Sequence, residues 1–543
     1  MTYPIRRYLV AALVCMPLIG CGHCGGEAAI SPREVIPNDA RGVVWVPRLG
    51  NAVQGLGDFI GRATRRGGAS LVSGLRRSMT QQVGLDLLAL DQLAASGVDP
   101  AHGLVAFVPA DASTLLWVVP VRDRSVFDGA LKSVVANVAG AEKLSERSLG
   151  GALWHTAGRP FGDEVAPVLH WVHVGNYALL GPAAGEVALR AALQRAQALV
   201  SAPKDAVLHP ASSAPWVALQ RRVGDGDLYV YEAGASLFGG AVENAISSVR
   251  VGAFGTTAEI FFGVADLATG HLPAAKAPGE LAARVDDDAL GVFVSQVLNA
   301  DTLALLRRHP NFDKPWQKAL GVLSRTTGLD AERELLPLLL GPLTLAVHLG
   351  DLSQVHSLLR MKNLPKVLRG IFEIALVAEV RDPAAMGEAL GRSAAKLAGQ
   401  GQKIAQRQVE VAGHEASVFE PEGSPEIGWA LWERYYVYGI GVGRWDKTLQ
   451  RLAGTASTPA LSLQQSAAAA PLATRRGASL GVLRLGQLAD EVSKRGGAGL
   501  ASRMGMGALI DQAFEVLRAL GDVATCIEVA PGGVRVTLRE QLR

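Results

Sequence analysis

The sequence predicts an α+β protein of two tandem modules, each an antiparallel-rich sheet with packed helices, the pair related by a pseudo-two-fold axis. Three observations predict it. Short segments of the first half recur, in order, in the second. Strand-like runs outnumber the crossovers, and several are joined by tight turns, which favours antiparallel pairing over a doubly wound parallel sheet. Finally, 543 residues exceed what one hydrophobic core comfortably holds.

Taken in chain order, residues 1–20 read as a signal peptide. Arg6-Arg7 supply a basic n-region, and Tyr8 to Ile19 an apolar h-region too short to span a bilayer. The stretch Leu18-Ile19-Gly20-Cys21 resembles the lipobox of bacterial lipoproteins. Small Gly20 admits the peptidase, and the Cys21 thiol takes the diacylglycerol. The resemblance implies cleavage before Cys21, acylation of the new amine with a fatty acid such as palmitate, and stable membrane anchoring through several acyl chains. Arg6-Arg7 also fit a twin-arginine export signal as well as a plain secretory one. Gly22 stands where inner-membrane retention commonly uses aspartate, so the resemblance implies an outer-membrane anchor with the protein facing the periplasm, or displayed at the surface. Residues 21–34 are small, polar and unperiodic, and read as a flexible tether.

Removing residues 1–20 leaves 51 Lys+Arg against 50 Asp+Glu, so the mature chain is nearly neutral and offers no field to hold nucleic acid. Apolar residues at 49% and charged ones at 19% describe a folded chain rather than a disordered one. Of four cysteines, Cys15 leaves with the signal and Cys21 is lipidated. Cys24 and Cys526 remain, either as a disulfide clipping the C-terminal strand to the tether or as two separate thiols. No zinc-finger spacing is present.

Module 1 is placed at 35–267, a linker at 268–283 (Ala268–Ala283, with Gly270, Pro273, Pro278 and Gly279), and module 2 at 284–543. The strand Gly42-Val43-Val44-Trp45-Val46 returns as Gly291-Val292-Phe293-Val294. Gly84-Leu85-Asp86 returns as Gly328-Leu329-Asp330, and Leu104–Val108 as Leu343–Val347. The best match is a strand followed by a helix. Phe127, Leu131, Val135 and Val138 align with Met386, Leu390, Ala394 and Leu397, one apolar face of a helix in each copy. Asp123 and Asp382 sit at the N-caps, Pro383 at the first helical turn, and Gly140 and Gly399 at the C-terminal stops. The hairpins Val168–Leu180 and Trp429–Ile440 follow, each leading to a helix. A last strand, Leu228–Glu232 or Leu480–Arg484, then leads to a helix and a closing hairpin.

The opening Ile36-Pro37-Asn38-Asp39-Ala40, the Gly-Leu-Asp triplets and the strand-Arg-Asp-helix unit together resemble a group of large bacterial envelope proteins known only as a domain of unknown function. That resemblance covers most of residues 35–543. It implies an extracytoplasmic α+β repeat protein and brings no activity, catalytic residue or cofactor with it.

Several motifs touch on chemistry. Gly477-Ala478-Ser479-Leu480-Gly481 matches a serine nucleophile elbow, but an elbow follows a strand and precedes a helix, whereas Ser479 precedes a strand. His170 and His173 form an HxxH pair. On a helix it would suit a metal; on a strand the two rings point to opposite faces. The second copy sets Ala430 and Glu433 near these positions. Asp286-Asp287-Asp288 suggests a cation site or, since Pro37-Asn38-Asp39 aligns with it, a polar turn into a strand. Gly55-Leu56-Gly57 lacks the third glycine spacing and βαβ context of a dinucleotide loop. Trp429, Trp432, Tyr435, Tyr436 and Tyr438 crowd one hairpin, as a stacking platform for a ligand or as a strand pair covered on both faces. No catalytic, cofactor or metal residue set emerges. The expectation is a membrane-anchored, non-enzymatic envelope interaction or assembly module with an envelope protein as partner; the alternatives are a carrier or chaperone for a hydrophobic ligand and, third, a serine hydrolase.

Overall fold

The computed structural model describes residues 31–63, 73, 77, 80, 90–110, 114–161, 164–201, 214–233, 242–252, 255–264, 276–296, 313–314, 316–318, 320–321, 324, 329–339, 342–350, 372–399, 404–421, 426–441, 443–494, 514–515 and 517–542. The predicted signal, Cys21 and Cys24 lie outside these residues. The chain divides into two compact units near Gly263.

The first unit contains β1 (Gly42–Val46), β2 (Leu104–Val108), β3 (Leu116–Pro120), β4 (Lys143–Leu149), β5 (Ala152–Phe161), β6 (Glu164–Val174), β7 (Tyr177–Pro182), β8 (Leu228–Ala233), β9 (Val242–Gly252) and β10 (Gly255–Val264). They pair side by side as β4-β5-β6-β7-β3-β2-β1-β8-β9-β10. The second contains β11 (Gly291–Ser295), β12 (Leu343–Leu349), β13 (Phe372–Glu379), β14 (Ile404–Val411), β15 (His414–Pro421), β16 (Ile427–Trp432), β17 (Tyr435–Ile440), β18 (Ser479–Arg484), β19 (Asp522–Ala530) and β20 (Gly533–Gln541). Their order is β14-β15-β16-β17-β13-β12-β11-β18-β19-β20, the same connectivity strand for strand. The fold class is therefore mixed α+β with antiparallel ladders. The ribbons β4–β5 and β14–β15 extend each sheet beyond the predicted strands. β4, Lys-Leu-Ser-Glu-Arg-Ser-Leu, buries none of its residues and so lacks the apolar alternation that marks a strand.

Helices cover the sheet of each unit: α1 (Leu49–Ala63), α2 (Arg124–Ala139) and α3 (Glu186–Ser201) in the first, α4 (Pro383–Gly399), α5 (Arg444–Leu452) and α6 (Leu485–Lys494) in the second. Local chemistry sets the ends of α2. Asp123 Oδ1 accepts from the Ser125 and Val126 amides at 3.0 and 3.1 Å, and Gly140 closes the helix in the left-handed region at φ 60°. Asp382 Oδ1 likewise accepts from the Ala385 amide at 3.0 Å. Phe127, Leu131 and Val135 are buried as the spacing predicts, but Val138, in the last turn of the helix, is exposed. Gly55 lies within α1, where a Cβ would stand 2.3 Å from the Val251 carbonyl oxygen; the glycine permits close helix–sheet approach and belongs to no nucleotide loop.

The core of the first unit gathers Trp171, Phe127, Leu93, Leu104 and Ala178 on one sheet face. In the second unit Met386, Ala389 and Val380 pack with Leu431 and Tyr436 beneath α4, while Trp445 and Leu449 of α5 pack with Ala430 and Val437 on the opposite face.

Two predicted boundaries shift. Pro32–Val35 is a 3-10 turn rather than tether: Val35 is buried, and the Arg33 guanidinium lies 4.8 Å from the Trp45 ring and 4.9 Å from the Trp216 ring. The folded part therefore begins before Glu34. In the predicted linker, Pro278–Ala282 is a helical turn with Leu281 and Ala282 fully buried, so this portion joins the core of the second unit. Residues 268–275 lie outside the described ones. Among the described residues, no helix is long and apolar enough to cross a membrane.

Candidate functional site

Strand pairing puts His170 and His173 on opposite faces of β6, as a two-residue period demands. His170 is buried; its Nδ1 lies 2.9 Å from Thr156 Oγ1 and its Nε2 3.6 Å from a Glu186 oxygen. Burial lowers its pKa against the opposing pull of Glu186. It is a satisfied structural histidine.

His173 faces α2 and meets a second set of residues. Its Nε2 is 2.9 Å from Asp128 Oδ1, which also accepts from Trp171 Nε1 at 2.7 Å. Asp128 Oδ2 is 3.9 Å from His155 Nε2, and the far nitrogen of His155, Nδ1, is 3.1 Å from Glu146 Oε1. The His155 ring stacks on the Trp171 indole at 5.1 Å and 12°. The side chains of His155, Asp128 and His173 are 10%, 16% and 10% exposed, enough shelter to strengthen their interactions while leaving a path to solvent. Burial lowers the His173 pKa, with Asp128 opposing it, and its buried Nδ1 has no hydrogen-bond partner among the described residues. One ligand atom from each of Asp128, His155 and His173 lies within 4.8 Å of the others. Sequence reading singled out His173 but missed His155 and Asp128, because their distance along the chain hides a cluster made only by helix-on-sheet packing.

The matching place in the second unit is built differently. β6–β7 pair Val174 with Tyr177, and β16–β17 pair Trp432 with Tyr435, so Trp171 corresponds to Trp429 and His173 to Leu431. His170 corresponds to Gly428. The predicted partners Ala430 and Glu433 were two positions out. β4–β5 and β14–β15 likewise match Glu146 with Gln408 and His155 with Ser417. Counting from the capping aspartates, Asp128 matches Gly387. The charged cluster is thus replaced by a cleft of about 510 Å3 between α4 and β14–β16, lined by Gly387, Leu390, Gly391, Ser417, Trp429 and Leu431 among others. Gln408 Nε2 donates to Ser417 Oγ at 3.0 Å on its polar wall.

The five hairpin aromatics divide between the faces. Trp429, Tyr436 and Tyr438 share the α4 face with Leu431, whereas Trp432 and Tyr435 stack on each other at 6.0 Å on the other face. Burial pushes the Tyr436 and Tyr438 hydroxyls up. Only Trp429 of the five lines the cleft.

The remaining motifs have structural partners. Ser479 opens β18, is buried, and has its Oγ 3.3 Å from Ser295 Oγ; this is no strand-to-helix elbow. Asp286 accepts from Thr458 Oγ1 at 2.8 Å and pairs with Arg451 Nη2 at 2.5 Å. Asp288 lies 2.8 Å from His348 Nδ1 and 3.0 Å from Arg444 Nη1. These acids are neutralised from within, which fits a turn entering β11 rather than a cation loop. Cys526 is buried in β19, where burial pushes its thiol up to about 12.

No protein family matches this chain, and neither does any curated relative. Among solved structures, crystal forms III and IV of TP0453 align over 46% and 44% of this chain and 84% and 81% of theirs, at 9% and 8% identity. Their TM-scores, 0.25 and 0.24, are too low for the likeness to carry an argument about fold or role.

Proposed function

We propose that this chain is a non-enzymatic binding module of the bacterial envelope, held on the outer membrane through acylated Cys21, and that its two units are copies of one module. The shared strand order supports the duplication. The anchor reading rests on Leu18-Ile19-Gly20-Cys21. The binding reading rests on one observation, the cleft beneath α4. Its volume of about 510 Å3 lies within the usual range for small-molecule sites. One wall is apolar, from Leu390, Trp429 and Leu431; the other offers Gln408, Glu415 and Ser417. That division suits an amphipathic ligand with an acyl or ring body and a polar edge, in line with the carrier alternative. Native mass spectrometry of the Cys21→Ser chain, secreted to the periplasm without an acyl anchor, tests it. A reproducible adduct of lipid size, lost on denaturation and on Gly391→Phe, is the expected result. A clean apo mass would overturn the ligand reading.

A second reading, docking of an envelope protein, draws on the ribbon β4–β6, where Leu144, Leu153, Phe161 and Val165 are exposed. Cross-linking in intact cells through residues of this ribbon tests it, and a cross-link lost on Phe161→Asp is the expected result.

A further inference from the structure

We infer that the first unit carries a transition-metal site, with His155 Nε2, His173 Nε2 and the Asp128 carboxylate as protein ligands. Two imidazoles and one carboxylate form a borderline donor set, suited to zinc with one position left for water. Ligand atoms around a tetrahedral zinc, with bonds near 2.0–2.2 Å, stand about 3.4 Å apart. His173 Nε2 lies 2.9 Å from Asp128 Oδ1 and His155 Nε2 3.9 Å from Oδ2, and one donor atom from each of the three residues lies within 4.8 Å of the others, so the side chains draw together to share one ion.

Two further observations point the same way. Outer groups orient two of the three ligands: Glu146 holds the far nitrogen of His155 at 3.1 Å, and Trp171 Nε1 fixes the Asp128 carboxylate at 2.7 Å. The fold itself does not require this set, because the second unit has the same strand order around Gly387, Ser417 and Leu431. The scaffold therefore does not demand Asp128, His155 and His173, and placing one carboxylate between two largely buried imidazoles costs desolvation that a bound dication offsets. In the metal-free ring His173 Nε2 lies 2.9 Å from the Asp128 carboxylate; when zinc takes that nitrogen, the neutral imidazole keeps its single proton on Nδ1.

The test uses the full chain carrying Cys21→Ser and no histidine tag. The chain is equilibrated with zinc and freed of excess, its metal content is measured, and its affinity is determined by competition with a chromophoric chelator. About one zinc per chain is expected. His155→Ser and His173→Leu, which install the residues of the second unit, and Asp128→Asn should each weaken binding at least ~10-fold. His170→Gln, on the opposite face, should leave it unchanged. Retention of zinc at the parent affinity in all three ligand variants, or no zinc in the parent chain, would overturn the assignment. Circular dichroism melts guard against misfolding. A rise in the parent's melting temperature with zinc but not magnesium gives a readout needing no variant; no such rise in a chain that fails to retain zinc counts against the site.

Discussion

Asp128 and Gly387 occupy the same helical position in the two units, each in the second turn after a capping aspartate, Asp128 meeting Trp171 and Gly387 meeting Leu431 across the helix–sheet interface. One carries a carboxylate that gathers two imidazoles. The other has no side chain and opens a cleft. A single helix-on-sheet frame thus offers a polar cluster in one unit and a void in the other.

The cleft responds to its glycines. A Cβ at Gly391 meets nothing within 4 Å among the described residues, so Gly391→Ala should stabilise α4 by about 0.5–1 kcal/mol, the difference in helix propensity. Gly391→Phe should fill the cleft and abolish adduct formation while leaving the circular dichroism spectrum unchanged. Chemical denaturation measures the first effect, native mass spectrometry the second.

The opposite face tolerates less. A Cβ on Gly439 would stand 2.5 Å from the Trp445 backbone nitrogen and 2.8 Å from its Cβ. Backbone cannot rotate away, so Gly439→Ala should force α5 off the sheet and cost about 1–3 kcal/mol. A lower denaturation midpoint is the expected outcome, and an unchanged one would refute the close packing.

The Asp288 cluster predicts acid sensitivity. Burial pushes the Asp288 carboxyl up, but the hydrogen bond from His348 and the charges of His348 and Arg444 outweigh it and hold the carboxyl well below the usual carboxylate range. A group depressed on folding stabilises the protein above its unfolded pKa, near 3.9, and that stability is lost as pH falls below it. Asp288→Asn should therefore destabilise at pH 7, and the gap from the parent should begin to narrow below about pH 4 and go on narrowing as pH falls toward the depressed folded value. Asp288 is 49% exposed, so water screens part of the interaction and the expected loss is about 1–2 kcal/mol. Arg444 keeps Glu373 as a second partner, which limits the loss further. Urea melts across pH 3–7 measure it.

The Cys526 thiol, buried and shifted up to about 12, should resist maleimide at pH 8 in the folded chain and react once unfolded. A chain unfolded without reductant that still shows no free thiol would establish the Cys24–Cys526 pairing; a reactive one excludes it.

The membrane anchor makes a cellular prediction. Cys21→Ser should abolish palmitate labelling and move the protein from the membrane to the soluble periplasmic fraction. Membrane retention without label would refute the lipobox reading.

The sequence alone determined what is written locally. The Asp123 and Asp382 caps, the Gly140 stop, the recurring strands and the hairpins Val168–Leu180 and Trp429–Ile440 depend on neighbours a few residues away, so period and turn chemistry suffice to read them. It also determined that His170 and His173 point apart, because a strand's period is two. Tertiary structure alone decided which side chains meet. The ribbon β4–β5 carries too little apolar alternation to announce itself, yet it brings His155 and Glu146 to His173. The aromatics of 429–438 look like one cluster along the chain, but strand pleating sends them to two faces. Asp128 sits on a helix whose apolar stripe is legible, while the stripe says nothing of what its next residue touches. Contacts between residues far apart in sequence are fixed by register and packing across the sheet, and no local pattern encodes them.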